Sequence, residues 1–164
     1  MSENILARLF EHNNWANQKI LEVCSALSDG QLDAPPQSAT EGTIRSTLLH
    51  LADAQLGYLR ILTLPLERRQ EPVSVEFAQA GESIKQTGEA LLNLVREEKY
   101  PRERLVTRDG HYVEPWVILV QIINHATEHR EQVKSMLTAM GIEPPSIDGW
   151  DYGDMMKALV PVSK

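Results

Sequence analysis

Apolar residues recur at three- and four-residue steps through four long segments of this chain, and that spacing constrains its fold more than any other feature. Ile5, Leu9, Ala16, Ile20, Val23 and Leu27 make one stripe over about six helical turns. Ser2 is placed to cap this first helix, Glu3 suits its positive end, and Ser28-Asp29-Gly30 ends it. A loop containing Pro35-Pro36 follows. A second helix opens near Thr43 and carries Ile44, Leu48, Leu51, Leu59 and Leu62, before a break at Pro65 and the polar run Glu67 to Glu71. Ser74 is the expected cap of a third helix, with Phe77, Ile84, Leu91 and Val95 on one face and Lys99-Tyr100-Pro101 as its stop. Asp109-Gly110 is a turn signal between short alternating segments, so a small hairpin is expected there. Pro115 fits the first turn of a fourth helix and Gly141 its C-terminal cap. Glu143-Pro144-Pro145 forbids continuation, and Asp154 to Leu159 suit a short extra helix.

Four such helices, each roughly 30 to 40 Å long, pack naturally as an all-α four-helix bundle. At roughly 150 residues per domain, residues 1–164 read as one domain. Connections longer than tight hairpins permit a crossover topology. The chain carries 16 Lys and Arg against 23 Asp and Glu, a net charge of −7. That balance argues against a nucleic-acid partner, because neutralising phosphates needs a basic patch and none is visible. Cys24 stands alone, so neither an internal disulfide nor a cysteine-based zinc site is available. The longest apolar run, Trp116 to Val120, is broken by Gln121, well short of the roughly 18 residues a membrane span needs. The N-terminus shows no basic segment followed by an apolar core, so the chain reads as unprocessed and cytoplasmic.

His125 and His129 stand one turn apart on the fourth helix, in a stripe with Ile118, Ile122, Val133, Met136 and Met140. Their rings are therefore expected to point toward the core, where each buried nitrogen needs a partner. A divalent metal satisfies both at once; a pair bonded to each other, to water or to a tyrosine does so too. A third ligand has three candidates. His50 lies on the second helix, off the centre of its leucine stripe; His12 lies on the first, and His111 beside the Asp109-Gly110 turn reads as a solvated loop residue. His125-Ala-Thr-Glu128-His129 also matches the inverted zinc-protease motif. That chemistry needs a further glutamate ligand well downstream, and Glu131, Glu143, Asp148, Asp151 and Asp154 are too near or in a short tail. A di-iron site of the ferritin type needs Glu-x-x-His pairs, which the chain lacks.

Several motifs taken together resemble the DinB-like family of four-helix metalloproteins. They are Asn13-Asn-Trp15-Ala-Asn17, Leu48-Leu-His50-Leu-Ala-Asp53, the Gly110 turn into Glu114-Pro115-Trp116, Asn124-His125-Ala-Thr-Glu-His129-Arg130-Glu-Gln132, and Gly141-Ile-Glu-Pro144-Pro145. The resemblance implies a bundle with a crossover connection, commonly a homodimer, and a metal site built from His50, His125 and His129. Family members often carry His-His-Arg-Gly-Gln near the last ligand, where this chain has Glu128-His129-Arg130-Glu131-Gln132.

Three neutral imidazoles leave a cation with an open position, which suits catalysis. Zinc or nickel is expected ahead of iron. The substrate is expected to be a small molecule, and transfer of a low-molecular-weight thiol to an electrophile, the activity best attested in the family, is placed ahead of hydrolysis. Glu128 or Asp53 could steer a proton, Arg130 could hold an anionic group, and Asp53 could instead orient the His50 ring; for all three, ordinary helix-surface roles are the alternative. A purely metal-binding or structural bundle remains the non-enzymatic reading. Cys24 is expected to pack as a small buried thiol, and Trp15, Trp116 and Trp150 as packing residues, with Trp150 and Tyr152 folding over the open end of the bundle as a lid.

Overall fold

A computed structural model describes residues 4–37, 42–69 and 74–162. Ser2, Glu3 and Glu71 lie outside the described residues. Four long helices dominate: α1 (Ile5–Cys24), α3 (Ile44–Thr63), α5 (Phe77–Arg96) and α6 (Pro115–Ala139), with short α2 (Asp29–Leu32), α4 (Leu66–Arg69) and α7 (Gly149–Met155) between and after them. A two-stranded antiparallel hairpin, β1 (Leu105–Val106) and β2 (Tyr112–Val113), turns at Gly110 where the Asp-Gly signal places it.

Helix starts follow local hydrogen-bond chemistry, with departures from expectation. At Thr43 the hydroxyl accepts from the Ser46 amide and Ser46 returns the bond, as the sequence suggests. α1 is capped by Asn4, whose side chain accepts from the Ala7 amide, and it stops at Cys24. Ser28 does not end α1; it opens α2 through a reciprocal pair with Gln31. Ser74 is not the cap of α5, which Glu76 precedes without a side-chain bond. The chain there is anchored from another helix: Asp53 Oδ1 accepts from the Val75 amide at 2.8 Å. The extra C-terminal helix begins at Gly149, earlier than expected, because Asp148 accepts from the Trp150 and Asp151 amides. Gly141, at φ 72°, closes α6 in the left-handed region that glycine tolerates.

α1 and α3 each pack against both α5 and α6. At one end of the bundle Phe10, Leu62, Val95 and Ile118 share a cluster. At the other end Ile20, Ile44 and Val133 do, with Phe77 against them. Hence α1 and α6 run one way while α3 and α5 run the other. The connection 64–76 must therefore travel back along the bundle. α3, at 20 residues, is about 30 Å long, which is the distance that separates the end of α3 from the start of α5. This is the crossover. Arg69 braces it, donating to the carbonyls of Leu64 and Val106 at 2.6 and 3.0 Å.

Between the two apolar ends lies a polar layer of buried Asn13, Asn17, Gln55, Thr87 and Arg130, one or more from each long helix. This layer corrects the α1 stripe. Its inward face runs through Ala7, Phe10, Asn13, Ala16, Asn17, Ile20 and Cys24, leaving Ile5 and Leu9 exposed. The expected buried thiol of Cys24 is present, 4% exposed. Trp116 and Trp150 are not packing residues: they are 63% and 74% exposed. Tyr152 packs its ring on His12 and Trp15, so this part of the tail is held against α1.

Candidate metal centre

His50 projects from α3, and His125 and His129 from successive turns of α6, into the groove between those helices. His50 is exposed and the α6 pair is half-buried, so the rings line a groove wall and do not point into the core. The off-centre position of His50 on its leucine stripe has this cause: it faces α6 from the flank. His12 is elsewhere, its Nε2 2.9 Å from the Ile147 carbonyl. His111 is exposed beside Asp109, as a loop residue should be.

The three rings converge through the same atom. His125 Nε2 lies 3.0 Å from His50 Nε2 and 3.1 Å from His129 Nε2. Among the described residues this is the cluster whose donor atoms, all within 4.8 Å of one another, could hold one metal ion. Proton counting tests the fit. Gln132 Oε1, which can only accept, is 2.7 Å from His129 Nδ1, so that nitrogen carries the proton and Nε2 of the neutral ring presents a lone pair. A single proton on His125 Nε2 would then have to serve two neighbours at once. A cation at the convergence point gives all three lone pairs a partner. Bonds of 2.0–2.1 Å in tetrahedral geometry separate ligand nitrogens by about 3.3 Å, close to the spacing present. The residues fit a divalent ion bound by nitrogen.

Electrostatics agree with a neutral His125 ring. Burial pushes the His125 pKa down to about 4, and the neighbouring His129 and His50 rings add to the effect. Tyr58, two turns beyond His50 on α3, sets its ring edge-on to His125 with centroids 5.8 Å apart. Glu128 is an exposed residue of α6. Asp53 spends Oδ1 on the Val75 amide. Arg130 has no helix-surface role. It is 3% exposed, with Nη1 donating to Asn13 Oδ1 and Asn17 Oδ1, both at 2.7 Å, and Nη2 to Thr127 Oγ1 at 2.9 Å. Burial lowers its pKa to about 10, which leaves it protonated at neutral pH. Asn17 donates onward to Gln55 at 3.3 Å, and Gln55 to Thr87 and the Ile84 carbonyl at 2.7 Å each. The layer thus ties α6 to the other three helices one residue from His129. Sequence reasoning gave Gln132 and Tyr58 no role. The i,i+3 spacing of Gln132 from His129 was the available signal; nothing in sequence marked Tyr58, the one tyrosine of α3, as a neighbour of His125.

Comparison with known proteins places this geometry in a family. The sequence pattern of the DinB family matches residues 1–159. No curated protein matches the chain. Among solved structures it is similar to a candidate DinB-family member from Exiguobacterium sibiricum (18% identity, TM-score 0.65, covering 86% of this chain and 94% of that one). It is similar to YfiT from Bacillus subtilis (16%, 0.65, 87% and 91%), described as "a probable metal-dependent hydrolase with an unusual four-helix bundle topology". A DinB-like protein from Bacillus cereus is similar as well (16%, 0.62, 87% and 95%). These likenesses show the shared fold, and the match over nearly the whole sequence shows the family. The chain belongs to the DinB family.

Proposed function

We propose that this protein is a metal-dependent enzyme acting on a small molecule, with His50, His125 and His129 holding a divalent cation, zinc or nickel ahead of iron. The observation that carries the reading is the convergence of three Nε2 atoms at 3.0 and 3.1 Å, with the His129 lone pair fixed by Gln132. Such an ion supplies Lewis-acid chemistry, polarising a substrate oxygen or acidifying a water or thiol beside it. The chain's own residues do the rest. The exposed His50 side leaves the groove open to a ligand from solvent. Glu128, exposed and one residue before His129, is the candidate proton acceptor. Arg130 serves through packing and not as an anion holder, since its donors already face Asn13, Asn17 and Thr127. Asp53 holds the start of α5 in place.

Hydrolysis is the leading reaction, supported by the description of YfiT. Transfer of a low-molecular-weight thiol to an electrophile is the second reading, supported by the family resemblance of the ligand motifs. A homodimer in the cytoplasm completes the proposal. Exposed Ile5 and Leu9 of α1, with Trp116, Val117 and Val120 of the adjoining α6, offer an apolar surface for a second copy. No helix among the described residues is long and apolar enough to cross a membrane.

Metal analysis of the purified protein and of its histidine variants is the test. One divalent ion per chain is expected, lost in His50→Ala, His125→Ala and His129→Ala and retained in His12→Ala. At metal concentrations about a thousand times Kd, binding stabilises the fold by about 4 kcal/mol, so thermal midpoints should rise on loading in wild type and His12→Ala and stay unchanged in the three ligand variants. A clean protein that takes up no ion overturns the proposal. Turnover of activated esters and of chromogenic electrophiles, with and without thiols, separates the two reactions.

A further inference from the structure

We propose that Gln132 is a positioning residue for the metal centre: its amide oxygen locks His129 in the Nδ1–H form and reserves Nε2 for the cation. The inference rests on the metal reading above and adds a residue to it. A neutral imidazole has one N–H and one lone pair, and a ring in solution exchanges them freely and can turn either nitrogen outward. A metal needs a stated nitrogen, deprotonated and correctly aimed. Gln132 supplies both conditions through one bond. Its Oε1 lies 2.7 Å from Nδ1 and cannot donate, so the proton sits on Nδ1 and the ring cannot flip without losing the bond. The helix enforces the reach, because residues three apart are neighbours on one face. Both partners are half-buried, so water competes less for the bond than at an exposed site.

The three rings are not equivalent in this respect. Among the described residues no protein acceptor meets Nδ1 of His50 or of His125, whose polar contacts run through Nε2. His129 is therefore the pre-oriented ligand, around which the other two must settle. Outer hydrogen-bond partners of metal-binding histidines are worth about 10- to 100-fold in affinity.

Two measurements test this, using Co2+ as the probe ion and wild type, Gln132→Met and Gln132→Glu. Competition with a chromogenic chelator should show Gln132→Met, which keeps size and loses the acceptor, binding Co2+ about 10- to 100-fold more weakly. Gln132→Glu, which keeps an acceptor, should bind as tightly as wild type or tighter. Long-range 1H–15N NMR of the metal-free protein at pH 8 reads the tautomer directly: Nδ1–H for His129 in wild type, a mixture in Gln132→Met. An Nε2–H signal for His129 in wild type overturns the inference, as does unchanged Co2+ affinity in Gln132→Met or equal weakness in Gln132→Glu. Failure of wild type to bind Co2+ would count against the metal reading alone, since the tautomer measurement needs no metal.

Discussion

The buried layer around Arg130 yields a quantitative prediction about coupling between helices. Asn13 is 1% exposed and its Oδ1 receives Arg130 Nη1 at 2.7 Å. A hydrogen bond to a charged donor contributes about 1.5–3 kcal/mol, and a buried acceptor left without a donor costs about 1–3 kcal/mol. Arg130→Met removes the donor and orphans the oxygens of Asn13 and Asn17. Asn13→Ala leaves a buried guanidinium short of one acceptor. The double variant carries neither mismatch at that pair. Its destabilisation should therefore fall short of the sum of the single changes by about 1.5–3 kcal/mol. Urea unfolding followed by circular dichroism, in chelator so that metal binding does not contribute, measures all four corners of the cycle. Additivity to within about 0.5 kcal/mol would refute the claim that this pair joins α1 to α6.

Two further outcomes follow from other groups. Cys24 is 4% exposed and burial pushes its pKa up to about 12, so native protein should react with a thiol reagent only as fast as it opens, and at the rate of a free thiol in urea; rapid labelling of folded protein would contradict the packing. Glu11 sits between Arg96 and Arg8; burial raises its pKa, but the hydrogen bonds from Arg96 at 2.6 Å and from Arg8 more than offset this and hold it below the ordinary value. Its contribution is present above the unfolded pKa and is lost as pH falls through the lower folded one. Glu11→Gln should thus destabilise by about 1 kcal/mol at pH 7 and have little effect at pH 2, read from unfolding midpoints; an equal loss at both pH values would contradict the ion-pair origin.

Helix existence was legible because burial imposes a 3.6-residue period on any surface helix. The hairpin and the caps at Thr43 and Gly141 were legible because they depend on residues within a few positions. The polar layer was not. Asn13 and Asn17 are not part of the apolar stripe of α1, and only their partner on α6, more than a hundred positions away, makes them interior. Ile5 and Leu9 failed for the same reason, since the inward face of α1 follows its neighbours and not its own apolar count. Ser74 failed because the anchor for its segment comes from Asp53.

For the site, residue chemistry and spacing by themselves determined that any metal must be held by histidine or carboxylate, since Cys24 stands alone, and that His125 and His129 share a face. They left His50 and His12 open as the third ligand, with the family motif pointing to His50. Tertiary structure brings His50, and not His12, to the pair, because the antiparallel packing of α3 on α6 puts His50 Nε2 3.0 Å from His125 Nε2 while His12 is bonded to the Ile147 carbonyl. Periodicity measures angle around one helix. The distance between donor atoms on two helices is set only when the helices pack, and a metal site is defined by that distance.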